Sequence, residues 1–235
     1  MIKAIFFDLD GTLLPMDEDK FTKMYFNLLA TRAKTRGYEE KQIIQTILSG
    51  TKKMYLNDGT STNEDVFWQN FYKTYKTDIQ EEKEFFNTFY KEEFHKTKSC
   101  CEENKLAKEI VTYCKDNFPL VILSTNPIFP KIATEKRMSF VSLTIDDFDY
   151  ITTYENSSFC KPNPKYFLML LEKFNLKPEE VILFGNNELE DGYCATSIGI
   201  KTYMVGSYII KDEKHNLNLP HLKMEEVIPL LKTLK

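Results

Sequence analysis

Three short apolar runs punctuate the chain, and each stops abruptly at polar residues: 2–7 (IKAIFF), 120–123 (LVIL) and 181–184 (VILF), with a weaker fourth at 201–205 (KTYMV). Runs without polar alternation suit strands covered on both faces, as in a parallel sheet. Helical patterns fill the intervals, at 102–117, 129–138, 164–175 and 188–198. Pro164 is well placed near the start of its helix, where a missing N–H costs nothing. Strands alternating with helices imply an α/β fold with helices on both faces of the sheet. In such folds ligands gather beyond the carboxyl ends of the strands.

Residues 17–98 have another character. Four amphipathic helical stretches, near 18–36, 39–56, 63–76 and 81–96, follow one another without a convincing strand. Phe67, Trp68, Phe71, Tyr72 and Tyr75 recur at helical spacing, as do Phe85, Phe86, Phe89 and Tyr90. Such stripes read first as the core of a helix bundle and second as an aromatic substrate pocket. The one clear break is 56–65 (LNDGTSTNED), a polar turn with Asp58-Gly59 and a Ser/Thr cap before an acid. This turn is the part of the segment expected to face a site and to influence selectivity.

Bulk properties narrow the function. A net charge of −4 and a pI near 5.6 offer no global basic field for nucleic acid. No apolar run is long enough to span a bilayer, and the N-terminal one is too short for a signal peptide. The five cysteines contain no C-x-x-C pair, and the three histidines lack metal-ligand spacing. A cytoplasmic protein with reduced thiols and no zinc is the expectation.

Chemistry concentrates where the apolar runs end. In IFFDLDGTLL, residues 5–14, a strand delivers Asp8, Asp10 follows on the same side, Gly11 permits a sharp turn and Thr12 braces it. Two carboxylates so spaced can divide labour between a nucleophile or metal ligand and a proton donor. An EF-hand is excluded, because its ligand spacing and glutamate are missing. In VILSTNP, 121–127, Ser124, Thr125 and Asn126 are donors for phosphate oxygens, although a turn explains the hydroxyls equally well. In FCKPNPKYF, 159–167, Lys161 offers a cation, although a solvated loop lysine is the commoner case. In LFGNNELEDG, 183–192, a glycine closes a strand and Asp191 lies near a helix start, where an acid is also favourable simply through the helix dipole.

The order Asp-x-Asp-Gly-Thr, Ser-Thr-Asn, Lys-Pro and Gly-loop-Asp resembles the haloacid dehalogenase superfamily across residues 1–14 and about 100–206. The resemblance implies a Rossmann-like core of residues 1–16 and 99–235, with residues 17–98 inserted as an all-helical C1-type cap. It also implies a Mg²⁺-dependent phosphatase for a small phosphorylated metabolite. Asp8 would form an aspartyl-phosphate and Asp10 would act as acid and base. Thr125, with Asn126 beside it, would hold the phosphoryl group, and Lys161 would neutralise charge. The metal would lie among Asp8, the Asp10 carbonyl, Asn186 or Asn187, and Asp191. The family's fourth motif usually carries two acids, whereas this chain has amides at 186 and 187, which predicts a weakened metal site; the Gly-Asn-Asp variant of the motif favours Asn187 as the replacement. A phospho-ligand binding protein with little turnover, or a phosphomutase, are the alternative readings.

Overall fold

The computed structural model describes residues 1–234. Its centre is a six-stranded parallel sheet in the order β3-β2-β1-β4-β5-β6, formed by β1 (Ala4–Phe7), β2 (Leu120–Leu123), β3 (Tyr150–Ile151), β4 (Val181–Gly185), β5 (Lys201–Val205) and β6 (His221–Leu222). The apolar runs are central because both faces are covered. Ile5, Phe7, Val121, Leu123, Ile182 and Phe184 point to one face, against α5 (Lys105–Asn117), α6 (Lys131–Ser139) and α9 (Val227–Lys232). Their alternates Ala4, Phe6, Ile122, Val181 and Leu183 meet α7 (Lys165–Lys173) and the short α8 (Cys194–Thr196) on the other. The period-2 pleat thus divides one apolar sequence between two cores.

Register places the chemistry. Phe7 is aligned with both Leu123 and Phe184, so Asp8, Ser124 and Gly185 lie level at the carboxyl edge. The Asp8 N–H donates to Phe184 O at 2.9 Å and the Ser124 N–H to Phe7 O at 2.7 Å, carrying the ladder one residue beyond the strands.

Between β1 and α5 the chain forms helices α1 (Glu18–Lys34), α2 (Glu40–Tyr55), α3 (Asn63–Tyr75) and α4 (Ile79–Glu92), then a 3₁₀ turn at Phe94–Cys100. The helix expected to run to 96 stops at Glu92. Where the chain leaves and re-enters the sheet unit its two passes touch, through a bridge between Met16 and Cys101 and an N–H from Glu102 to Pro15 O at 2.9 Å. Phe21, Tyr25, Phe71, Phe86 and Phe89 join the same apolar cluster as Ile5 and Phe7, so much of the aromatic stripe is core. No helix among the described residues is long and apolar enough to cross a membrane.

The polar turn at 56–65 corrects an expectation: none of its residues lines the cavity beside Asp8. It fastens the helical segment to the sheet unit instead. Fully buried Asn63 donates through Nδ2 to Pro127 O at 3.1 Å and to Cys160 Sγ at 3.3 Å, and its Oδ1 accepts from Asn57 Nδ2 at 2.9 Å. Gly59 has φ +97°, and a Cβ there would lie 2.3 Å from the Phe159 ring. Asn63→Ala is therefore expected to lower stability by about 1–3 kcal/mol, since it leaves buried partners without hydrogen bonds. Urea unfolding checks this, and an unchanged midpoint would contradict the fastening role.

Candidate active site

Three loops meet over the end of β1. Lys161 is 1% exposed, and its Nζ lies 2.8 Å from Asp8 Oδ1 and 2.6 Å from Asp191 Oδ1. Burial alone would lower the lysine's pKa, but Asp191 and Asp8 hold it well above the ordinary value. Asp8 is pushed up to about 8, chiefly by burial; Lys161 opposes the shift, while Asp191 and Asp10 add to it. One buried cation thus serves two carboxyl groups, and ionising Asp8 calls for further positive charge.

The loop after β4 gives its two amides different roles. Asn187 Oδ1 accepts the N–H groups of Leu189 and Glu190, each at 3.1 Å, and caps the helical turn that follows. That role occupies its side-chain oxygen, contrary to the preference for Asn187 as a metal ligand drawn from the motif. Asn186 is the amide next to Asp8: the Thr12 hydroxyl lies 3.2 Å from Asp8 Oδ2 and 3.3 Å from Asn186 Oδ1. Asn186 Nδ2 donates to Tyr208 O at 2.8 Å, which keeps its oxygen on the Asp8 side. Gly11 permits this approach, since a Cβ there would lie 2.0 Å from Asn186 Nδ2.

Asp191 also departs from expectation. Its Oδ2 accepts the N–H groups of Asn186 and Asn187, both at 3.1 Å, while its Oδ1 is held by Lys161. Both oxygens are engaged in bracing the loop. The helix expected over 188–198 is a π-helix at Glu188–Tyr193 followed by α8. Its wider turn, with Gly192 N–H reaching Asn187 O at 3.1 Å, brings Asp191 back beneath the loop. Gly185 makes room, because a Cβ there would meet the Asp191 carboxylate at 2.4 Å.

Thr125 is buried beside the cavity, with its carbonyl accepting from Thr152 Oγ1 at 2.7 Å and Tyr166 OH at 3.0 Å. Asn126, which also lines the cavity, donates through Nδ2 to Glu190 Oε2 at 2.9 Å and to Lys161 O at 3.2 Å, so its side-chain N–H groups already have partners. Two neighbours escaped the sequence reading. Glu190, pushed up to about 7 mainly by burial, accepts from Tyr55 OH at 3.3 Å. Arg137 of α6, fully buried, places Nε 3.1 Å from Asp10 Oδ1 without aligning an N–H on it, and its guanidinium lies 4.3 Å from the Phe129 ring centre. Asp10 is raised by burial and lowered by Arg137 and Lys161, with a net upward shift. A lone arginine on a helix face carries no signal in one sequence, and a pattern search had no means to find it.

No group of three or more His, Cys, Asp or Glu side chains is arranged for a metal ion among the described residues. The set that remains is oxygen-only: Asp8, the Asp10 carbonyl and Asn186 Oδ1. The convergence of Asp8 Oδ2 and Asn186 Oδ1 on one hydroxyl and the surplus of buried carboxylates fit a hard divalent cation, with one charge fewer than two acids would give. Beyond these groups opens a cavity of about 300 Å³ lined by Asp8, Asp10, Thr125 and Asn126 at one end and by α1–α4 at the other.

Fold and site together define a parallel α/β protein with paired acids at the end of its central strand and helices over them. Residues 5–205 match the haloacid dehalogenase-like hydrolase family, and the chain belongs to it. It is 33% identical over 91 residues to a glyceraldehyde 3-phosphate phosphatase from Pyrococcus furiosus, a match covering 37% of this chain and 35% of that protein. The match thus spans about a third of the relative's length. Among solved structures, a 2-haloacid dehalogenase from Pseudomonas syringae superposes over 100% of both chains with a TM-score of 0.64 and 15% identity. A HAD-hydrolase from Bacillus subtilis, solved bound to magnesium, does so over 98% of both with a TM-score of 0.59 and 17% identity. At these identities the two structures speak for the fold.

Removing the central cation tests the electrostatics. In metal-free protein, Lys161→Met is expected to cost roughly 3–5 kcal/mol, because it strands two buried carboxylates. The loss should be larger at about pH 9 than at about pH 6. Folded Asp8 binds its proton more tightly than the unfolded chain does, so stability erodes as pH climbs from the usual carboxylate range towards about 8. Without the ammonium that erosion deepens. Calorimetry in a chelator would show it, and an equal loss at both pH values would contradict the ion-pair account.

Proposed function

We propose that the protein is a Mg²⁺-dependent phosphatase that hydrolyses a small phosphomonoester through an aspartyl-phosphate on Asp8. The observation that carries this reading is the buried Lys161 held between Asp8 and Asp191, with Asp10 alongside and a cavity in front. A simple structural ion pair has no need of a surplus carboxylate facing a cavity, whereas phosphoryl transfer needs a nucleophile, a proton carrier and positive charge in one place. The name of the Pyrococcus relative points the same way.

In this mechanism an Asp8 carboxylate oxygen attacks phosphorus while the bond to the leaving oxygen breaks. Asp10, carrying a proton, delivers it to the departing alkoxide. The ionised Asp10 then takes a proton from water as that water attacks the phosphorus of the aspartyl-phosphate, and phosphate leaves with Asp8 restored. Lys161 keeps its ammonium beside Asp8 throughout and offsets the charge of the phosphoryl group. Thr125, which lines the cavity, would donate its hydroxyl to a phosphoryl oxygen. Thr12 orients Asp8, and Asp191 keeps the loop that carries Asn186 in place. Asp8, the Asp10 carbonyl and Asn186 would hold Mg²⁺, whose charge favours ionised Asp8 and draws electron density from the phosphoryl oxygens.

Phosphate release from a panel of small phosphomonoesters is expected to need Mg²⁺ and to vanish in Asp8→Asn. Turnover that survives in that variant would overturn the mechanism, and saturable binding without turnover in excess Mg²⁺ would favour the ligand-binding reading. The amide predicts a further effect: Asn186→Asp, by adding a charge to the oxygen set, should tighten Mg²⁺ binding roughly tenfold by calorimetry. Asn187→Asp should not, because position 187 caps the following turn.

A further inference from the structure

The helical wall of the cavity presents ring faces and aliphatic carbons, notably Phe21, Phe26, Leu29, Ile47, Phe67 and Trp68. Several polar groups among its lining residues already have partners within the protein, while exposed Thr22 and Asn87 add a hydroxyl and an amide to it. The Tyr25 and Tyr90 hydroxyls pair at 3.1 Å, Trp68 Nε1 donates to Tyr154 OH at 3.2 Å, and Thr51 Oγ1 donates to Ile47 O at 3.0 Å. Lys83, the lysine on this wall, is 2.7 Å from Glu64, so its charge is already met. Exposed Glu18 and half-buried Glu190, both with carboxyls pushed up to about 7 chiefly by desolvation, add acid, not base, to the lining. Such a wall rewards apolar area and offers little to a polyol, and with Lys83 already paired it holds no free cation among the described residues for a second anionic group.

Resting on the phosphatase reading, we infer that the leaving group of the substrate is an uncharged, aromatic or otherwise apolar alcohol. It fills the chamber under α1–α4, while the phosphoryl group meets Asp8. Sugar phosphates and esters carrying a second phosphate or carboxylate are disfavoured. The chamber is of a size for one ring and a short linker beside the phosphoryl group.

The test compares 2-phenylethyl phosphate with a pentitol 5-phosphate, two primary-alcohol esters of similar size, so that leaving-group chemistry does not decide the outcome. With Mg²⁺ present, kcat/KM is expected to favour the phenylethyl ester by roughly tenfold or more. Phe26→Gln should shrink that ratio. Equal rates, or a preference for the pentitol ester, overturn the inference and leave the phosphatase reading standing. If neither ester releases phosphate, that reading fails on its own. The inference is then decided by calorimetry on the wild-type protein with the matching phosphonates, in which CH₂ replaces the ester oxygen. Tighter binding of the phenyl compound upholds it, and equal or absent binding overturns it.

Discussion

The ammonium of Lys161 is the interaction on which the site depends. A lysine this deeply buried survives only if its charge is answered, and here two carboxylates from distant parts of the chain answer it. Asp8 arrives at the end of β1 and Asp191 arrives from the loop after β4, while Lys161 itself precedes α7. Parallel pairing of β1 with β4 in a fixed register brings the two acids within reach of one nitrogen. A slip of one residue would turn every side chain of β1 to the other core, so the two apolar clusters also protect the ion geometry.

Around that centre the loop after β4 shows how an amide can stand where an acid is usual. Asn186 is held from both ends, its Nδ2 by the Tyr208 carbonyl and its Oδ1 by the Thr12 hydroxyl. A carboxylate could not donate to Tyr208 O. The amide thus gives up charge but gains a fixed orientation, and one fewer anion gathers around Asp8, whose carboxyl is already raised by burial. Asp191, with Lys161 on one oxygen and two backbone N–H groups on the other, supplies the rigidity of the loop.

Much of this was legible in the sequence. The uninterrupted apolar runs announced the central strands β1, β2 and β4, because burial on both faces leaves no polar alternation. Asp8, Asp10, Thr125 and Lys161 were visible because strand ends and tight turns leave short, local signatures. Strands β3 and β6 have two residues each, too few for any periodicity to register. The π-helix was hidden because its composition is that of an ordinary helix start, and only the three-dimensional demand on Asp191 sets the wider turn. The roles of Asn186 and Asn187 could not be separated from the motif alone, since capping and facing the nucleophile suit the same side chain. The 56–65 turn was misassigned for a similar reason: polar turns serve sites and seams alike, and buried Asn63 belongs to a seam.

Asp10 shows why the helical segment and the sheet unit cannot be considered apart. Its carboxyl lies beside Arg137, and the guanidinium rests over Phe129. Phe129 in turn packs edge-on against Tyr25 and Phe21 of α1, with ring centres 5.4 and 6.3 Å away. Burying a guanidinium with two nitrogens lacking hydrogen-bond partners is costly, and the nearby carboxylate and the ring face offset that cost. The side chain assigned proton transfer is therefore packed, through one arginine and one phenylalanine, against the helix that also walls the cavity. Tyr25 belongs to that chain of contacts and to the cavity lining at once. Under the proposed mechanism, whatever fills the chamber would press on the same residues that pack around Asp10, so substrate fit and proton transfer would share a single packed interface.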